Sequence, residues 1–208
     1  MCFSATASFT AGAVLTAAGV ATVSQVKKRQ DRLLASLPFL FGIQQFLEGF
    51  IWLYPDTGLI TRSLAYGFLF FAFLLWPVYI PLSVWSHETD PERKCLLHYL
   101  IAFGFAGTLY LGAVLLTQAL DVQIVNESIR YAITVPVETP GLILYLIVTV
   151  GAMLLSSRPM LNLFGLLTLL SAWISWQFYA VTFTSVWCYF AAILSLYLFF
   201  YFRFDKTS

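Results

Sequence analysis

Long apolar stretches alternate with short polar joints along this chain. Blocks of about the 20 residues that cross a bilayer as a helix fall at 7–26, 33–54, 62–85, 95–119, 138–156, 160–182 and 186–202. The pattern predicts an all-α bundle of seven transmembrane helices, forming a single integral membrane domain over 1–208. Short joints argue against separately folded soluble domains. The exception is 120–137, where Val122, Ile124, Ile129, Ile133 and Val135 are mixed with Asn126, Glu127 and Arg130. That mixture suits an amphipathic connection over one mouth of the bundle, either an inert link or a short interfacial helix.

Composition supports the membrane reading. Hydrophobic residues make up 60% of the chain and charged residues 10%, against roughly 25% charged in a soluble domain. No basic stripe is present to hold a nucleic acid, so the partner expected is the lipid bilayer. Nine of the eleven Lys and Arg residues share one side of a seven-span arrangement: Lys27, Lys28, Arg29, Arg32, Arg93, Lys94, Arg158, Arg203 and Lys206. Only Arg62 and Arg130 fall on the other. By the positive-inside tendency the N-terminus lies outside and the C-terminus in the cytoplasm. No basic residue precedes the first block, so it is expected to stay as a helix rather than be cleaved as a signal peptide.

Small residues mark helix contacts. Thr10, Ala13, Ala17 and Ala21, reinforced by Gly12, Thr16 and Gly19, give the first helix a thin face that places it inside the bundle. Gly104, Thr108 and Gly112 repeat the device in the fourth. In the third, Trp76-Pro77 and Pro81 remove intrahelical bonds and predict a kink.

The polar residues inside these blocks carry the candidate chemistry. Gln44 and Glu48 are one helical turn apart, and Trp52 continues their face. A carboxylate there has to look into the bundle or a wet cavity, because hydrocarbon solvates it poorly. Glu138 and Gln177 fall in the same half of the bundle, with Trp173 and Tyr179 as walls. Together they suggest an outer-leaflet pocket for a small polar molecule or a cation. The same Glu48 also fits a protonated group hydrogen-bonded as packing glue.

A second polar set comprises His87, Glu88, Asp90, Glu92, Cys95 and His98. Cys2, His87, Cys95 and His98 are weak metal-ligand candidates, because their spacing matches no established signature. No cofactor follows from the residues. Cys2 and Cys188 both fall on the expected outer side, where a disulfide persists. Cys2 can equally be a packed thiol or, after removal of Met1, an amino-terminal nucleophile. The last block lacks a Lys for a retinal Schiff base, and no His-Glu-x-x-His or phosphate-loop motif occurs.

The opening Met1-Cys2-Phe3-Ser4-Ala5-Thr6-Ala7-Ser8-Phe9, with Phe41-Gly42-Ile43-Gln44-Gln45-Phe46-Leu47-Glu48-Gly49, resembles an uncharacterised family of bacterial multi-pass membrane proteins. The resemblance implies the bacterial inner membrane and brings no activity or catalytic residue. Three functions stay open. One is a transport or sensory protein using Glu48; another is a membrane enzyme or metal-binding redox factor using Cys2 with Glu48. The third is a structural membrane partner.

Overall fold

A computed structural model of the protein describes residues 4–54 and 58–204, apart from the side chain of Glu138. Helix α1 is Ala5–Gln25, α2 the short Arg32–Ala35, α3 Leu37–Leu53, α4 Leu59–Leu69, α5 Trp76–His87 and α6 Pro91–Thr117. Strands β1 (Asp121–Val125) and β2 (Ser128–Ala132) follow, then α7 (Glu138–Leu155), α8 (Pro159–Tyr179) and α9 (Phe183–Phe204).

Five helical segments among the described residues, not seven, have the length and apolar content to cross a membrane. They are Ala5–Gln25, Arg29–Leu53, Leu59–His87, Pro91–Thr117 and Pro159–Phe204. Two features lower the count. The apolar stretch Thr139–Leu155 of α7 lies at the short end of what crosses a bilayer and is not counted among the five. The expected sixth and seventh spans form one helical run, because no polar joint separates them. Only Tyr179, at φ −136° and ψ 37°, and a 3-10 turn over Ala180–Thr182 interrupt that run, and α9 then packs on α8. The N-outside, C-cytoplasmic assignment loses the seven-crossing count it was built on, and the five segments do not by themselves assign the two sides. What stands is a multi-pass α-helical membrane protein.

Helix α1 packs most extensively on α3, glycine against glycine. A Cβ added to Gly42 would meet the Thr16 amide nitrogen at 2.8 Å and the Gly12 carbonyl oxygen at 3.1 Å. Such approach supplies dispersion contact where hydrophobic burial offers little between helices in lipid. Contrary to the sequence expectation, α1 is not interior: Val14, Val20 and Val23 are exposed on its other side. Thr10, Ala13 and Ala17 of the expected small face are exposed too, and the contact is made by the adjoining side, with Gly12, Thr16 and Gly19.

The third span is irregular. A π-helical turn, Phe70–Leu75, runs into Trp76-Pro77, and Pro81 lies within α5. Backbone carbonyls in such a stretch are satisfied from outside the helix. Tyr145 Oη donates to the Ala72 carbonyl (2.7 Å) and Thr108 Oγ1 to that of Leu74 (3.0 Å). Gly104 lets α6 approach the Pro77 carbonyl, which Pro81 leaves without its helical donor.

The 120–137 connection forms a β-hairpin rather than an interfacial helix. Its strands pair Val122 with Tyr131 and Ile124 with Ile129. Asn126 and Glu127 turn at φ 47° and 54°, the pair of positive values that matches the twist of a two-residue hairpin. Val122 and Ile129 are buried against the helices, and Tyr131 stacks on Phe68 with centroids 4.7 Å apart.

The glycine contact makes a testable difference. Gly42→Ala should lower stability by about 1–3 kcal/mol through overpacking, read as a drop in thermal midpoint in detergent. Gly107→Ala, where an added Cβ meets nothing within 4 Å, should cause no loss. Equal behaviour of the two variants would show that the α1–α3 approach is not limiting.

Candidate functional site

Helix α3 turns its polar residues inward. Gln44, Gln45 and Glu48 all have 0% exposure. Their positions follow from the helical period, with Phe41, Gly42 and Ile51 buried in the same helix. Trp76 Nε1 donates to Gln44 Oε1 at 3.0 Å, and the Trp76 ring stacks on Phe41 at 4.2 Å. Ser185 Oγ, from the first turn of α9, donates to Glu48 Oε1 at 2.5 Å.

That accounts for part of the polar capacity. Among the described residues Glu48 Oε2, Gln44 Nε2 and both amide atoms of Gln45 have no hydrogen-bond partner, although Gln45 lies beside the carboxylate. The Tyr131 hydroxyl, brought in by the hairpin, is likewise unpartnered. Burial pushes the Tyr131 phenol well above its ordinary range, and the neighbouring Glu48 and Cys188 add to the shift. Cys188 sits beside Gln44. The result is a buried carboxylate ringed by amides, a hydroxyl, a phenol and a thiol. It can hold a proton or a small cation and offer amide donors and acceptors to a polar molecule.

Tyr131 and Cys188 also line a cavity of about 170 Å³ beneath the hairpin. Its other walls include Tyr145, Trp176, Phe183 and Trp187. A smaller space of about 40 Å³, reached by Trp76 and Phe41, shares Tyr145, Trp187 and Cys188 with it.

The structure brings Gln44 and Glu48 together and leaves Trp52 half-buried on the same helix, its indole nitrogen unpartnered. Two expected pocket residues, one polar and one wall, are elsewhere. Trp173 is 59% exposed and Gln177 is exposed, because α8 buries the face carrying Phe164, Thr168, Ser171 and Ser175. The Glu138 side chain and Cys2 lie outside the described residues. Cys188 carries a free, buried thiol.

The suggested metal ligands among the described residues, His87, Cys95 and His98, are not assembled. His87 Nδ1 is 2.5 Å from Asp31 Oδ1 in a buried pair. His98 is exposed against Trp85, and Cys95 is exposed and free. No group of three or more potential ligands occurs among the described residues.

Sequence reading missed Ser185, Tyr131 and Gln45. Gln45 carried a signal, a second amide beside Gln44 in an apolar block. Ser185 and Tyr131 are distant in sequence and carried none.

The scan of family models matches residues 1–208 to one described as "Family of unknown function (DUF6629)". The chain belongs to that family. Comparisons of this DUF6629 member with curated proteins and with solved structures give no match.

Glu88 is buried in this DUF6629 chain as well, yet it behaves differently. It accepts from Thr89 N (2.7 Å), Asp90 N (3.0 Å), Ser157 N (2.6 Å), Ser157 Oγ (2.5 Å) and Ser156 Oγ (3.3 Å). Burial alone would raise its pKa, but these donors outweigh it and hold the carboxyl down to about 2. It ties the α5–α6 turn to the α7–α8 turn. A folded pKa below the ordinary 4.5 means the tie stabilises fully above that value and is lost as pH falls through about 2. Glu88→Gln should therefore melt below wild type at neutral pH, with the gap narrowing as pH drops from 4.5 toward 2. A gap that does not change with pH would contradict this.

Proposed function

We propose that this is a transport or sensory membrane protein, and that it binds a small polar or cationic ligand around Glu48. The observation that carries the reading is the unpartnered Oε2 of a carboxylate with no exposure. Buried polar groups in proteins are nearly always satisfied, and charged groups within membrane segments mark pathways and ligand sites. Gln44 and Gln45 place amide atoms without well-aligned partners in the same core, Gln45 beside Glu48 and Gln44 beside Cys188, so polar groups able to meet a ligand are clustered there. Placement in a bacterial inner membrane rests on the resemblance in the opening and Phe41–Gly49 blocks.

The test begins with a thermal-shift panel of alkali cations, ammonium, primary amines and neutral polyols on the purified protein. At least one should stabilise the wild type saturably. Glu48→Gln keeps the shape and most hydrogen-bonding capacity but removes the ionisable group. It should fold and lose about tenfold or more in affinity, as expected when a buried charge pair loses one partner. Unchanged affinity in the Gln variant would make Glu48 a packing group.

A further inference from the structure

The cavity beside the hairpin combines aliphatic walls with a group of aromatic side chains. Tyr131, Tyr145, Trp176, Phe183 and Trp187 all line it. Four of the rings form a connected set: Trp176 meets Phe183 edge-on at 5.8 Å, Phe183 stacks on Trp187 at 5.4 Å, and Trp187 meets Tyr145 edge-on at 5.7 Å. Two polar handles are directed to backbone carbonyls. Trp187 Nε1 donates to Thr168 O (3.2 Å) and Tyr145 Oη to Ala72 O (2.7 Å). Those bonds fix the rings and occupy donors that would repel a cation.

We propose that this cavity is an aromatic box for a small methylated ammonium ion, with Glu48 behind Tyr131 and Cys188 as its counter-charge. The assignment rests on the Glu48 reading above and names its ligand class. A primary ammonium carries three N–H donors that each require an acceptor, and the wall offers few beyond the Tyr131 and Thr184 hydroxyls. Methylation removes the donors and spreads the charge over a surface that aromatic quadrupoles attract. The volume agrees, since about 170 Å³ equals roughly six water volumes of about 30 Å³. That accommodates tetramethylammonium or choline. The trimethylammonium group is common to free solutes and to phosphatidylcholine headgroups.

The full-length protein in phosphatidylglycerol nanodiscs is titrated with choline or tetramethylammonium chloride while its thermal midpoint and tryptophan fluorescence are followed. Both cations should stabilise it saturably. The neutral analogue 3,3-dimethylbutan-1-ol, with carbon in place of nitrogen, should bind about tenfold or more weaker, because it lacks the cation–π attraction. Trp176→Leu should weaken choline by about tenfold without unfolding, since Trp176 is 43% exposed. Phe183→Leu provides a second wall variant if the first does not fold.

Repeating the titration in phosphatidylcholine separates the sources, and both results support the box. An unchanged choline response assigns a free solute, and a response lost to competition assigns the lipid headgroup. Equal affinity for choline and the neutral alcohol, or no response to either cation, overturns it. Glu48→Gln distinguishes the two proposals. Choline binding that depends on Trp176 but not on Glu48 sinks the Glu48 reading, and with it the counter-charge assigned here. Glu48-dependent binding of an alkali cation or a primary amine, without choline binding, sinks the aromatic box alone.

Discussion

A carboxylate with no solvent exposure in an apolar bundle sets the conditions for the packing around α3. Taking such a group out of water costs several kcal/mol unless hydrogen bonds or charge offset it. The neighbours of Glu48 reflect that demand. Ser185 comes from α9, 137 positions away in sequence, to donate to one oxygen. Gln44 is held one turn earlier by Trp76 at the head of α5. Three helices are thereby fixed relative to one another by directional bonds, in a solvent where apolar contact alone gives little preference for one partner over another.

The irregular third span builds the other side of the same region. A regular helix keeps its carbonyls for itself, whereas the π-helical turn at Phe70–Leu75 accepts from Tyr145 on α7 and Thr108 on α6. The Tyr145 ring that lines both internal cavities is thus anchored by a defect in a neighbouring helix. Gly104 serves the same junction by admitting α6 to the Pro77 carbonyl. Local distortion, cavity wall and helix contact have one cause, the prolines and the aromatic run before them.

Much of the helical framework was legible in the sequence because hydrophobic runs report burial in lipid directly. Gln44 and Glu48 were legible for the same reason, as polar residues where polarity is costly. The number of crossings was not. Residues 160–202 contain no charge that would mark a joint, so block length alone divided what is one interrupted helical run. Trp173 and Gln177 were misplaced because α8 turns its small residues inward, Gly165, Thr168, Ser171, Ala172 and Ser175, a packing signal that expectations built on large polar and aromatic side chains passed over. The hairpin was hidden by its turn, Asn126-Glu127, which lacks the Gly usual in a turn with two positive φ angles. Without the hairpin, Tyr131 could not be placed beside Glu48.

Glu48 and Glu88 offer a comparison within one molecule. Each carboxylate has almost no exposed surface, although Glu48 lies deep in α3 and Glu88 in a turn at the end of α5. Saturation distinguishes them. Glu88 receives five hydrogen bonds, from Thr89, Asp90, Ser156 and Ser157, and joins two turns. Its acceptor capacity is spent inside the protein, which is what a structural anchor requires. Glu48 receives one well-aligned side-chain bond, from Ser185, with the Gln45 amide beside it as a poorly aligned second neighbour, and Oε2 is left without a well-aligned partner. A low-dielectric interior makes each unmet partner expensive, and a fold able to saturate one buried acid had the means to saturate the other. The difference between the two therefore favours a ligand-binding reading for Glu48 over packing glue, on grounds internal to this chain.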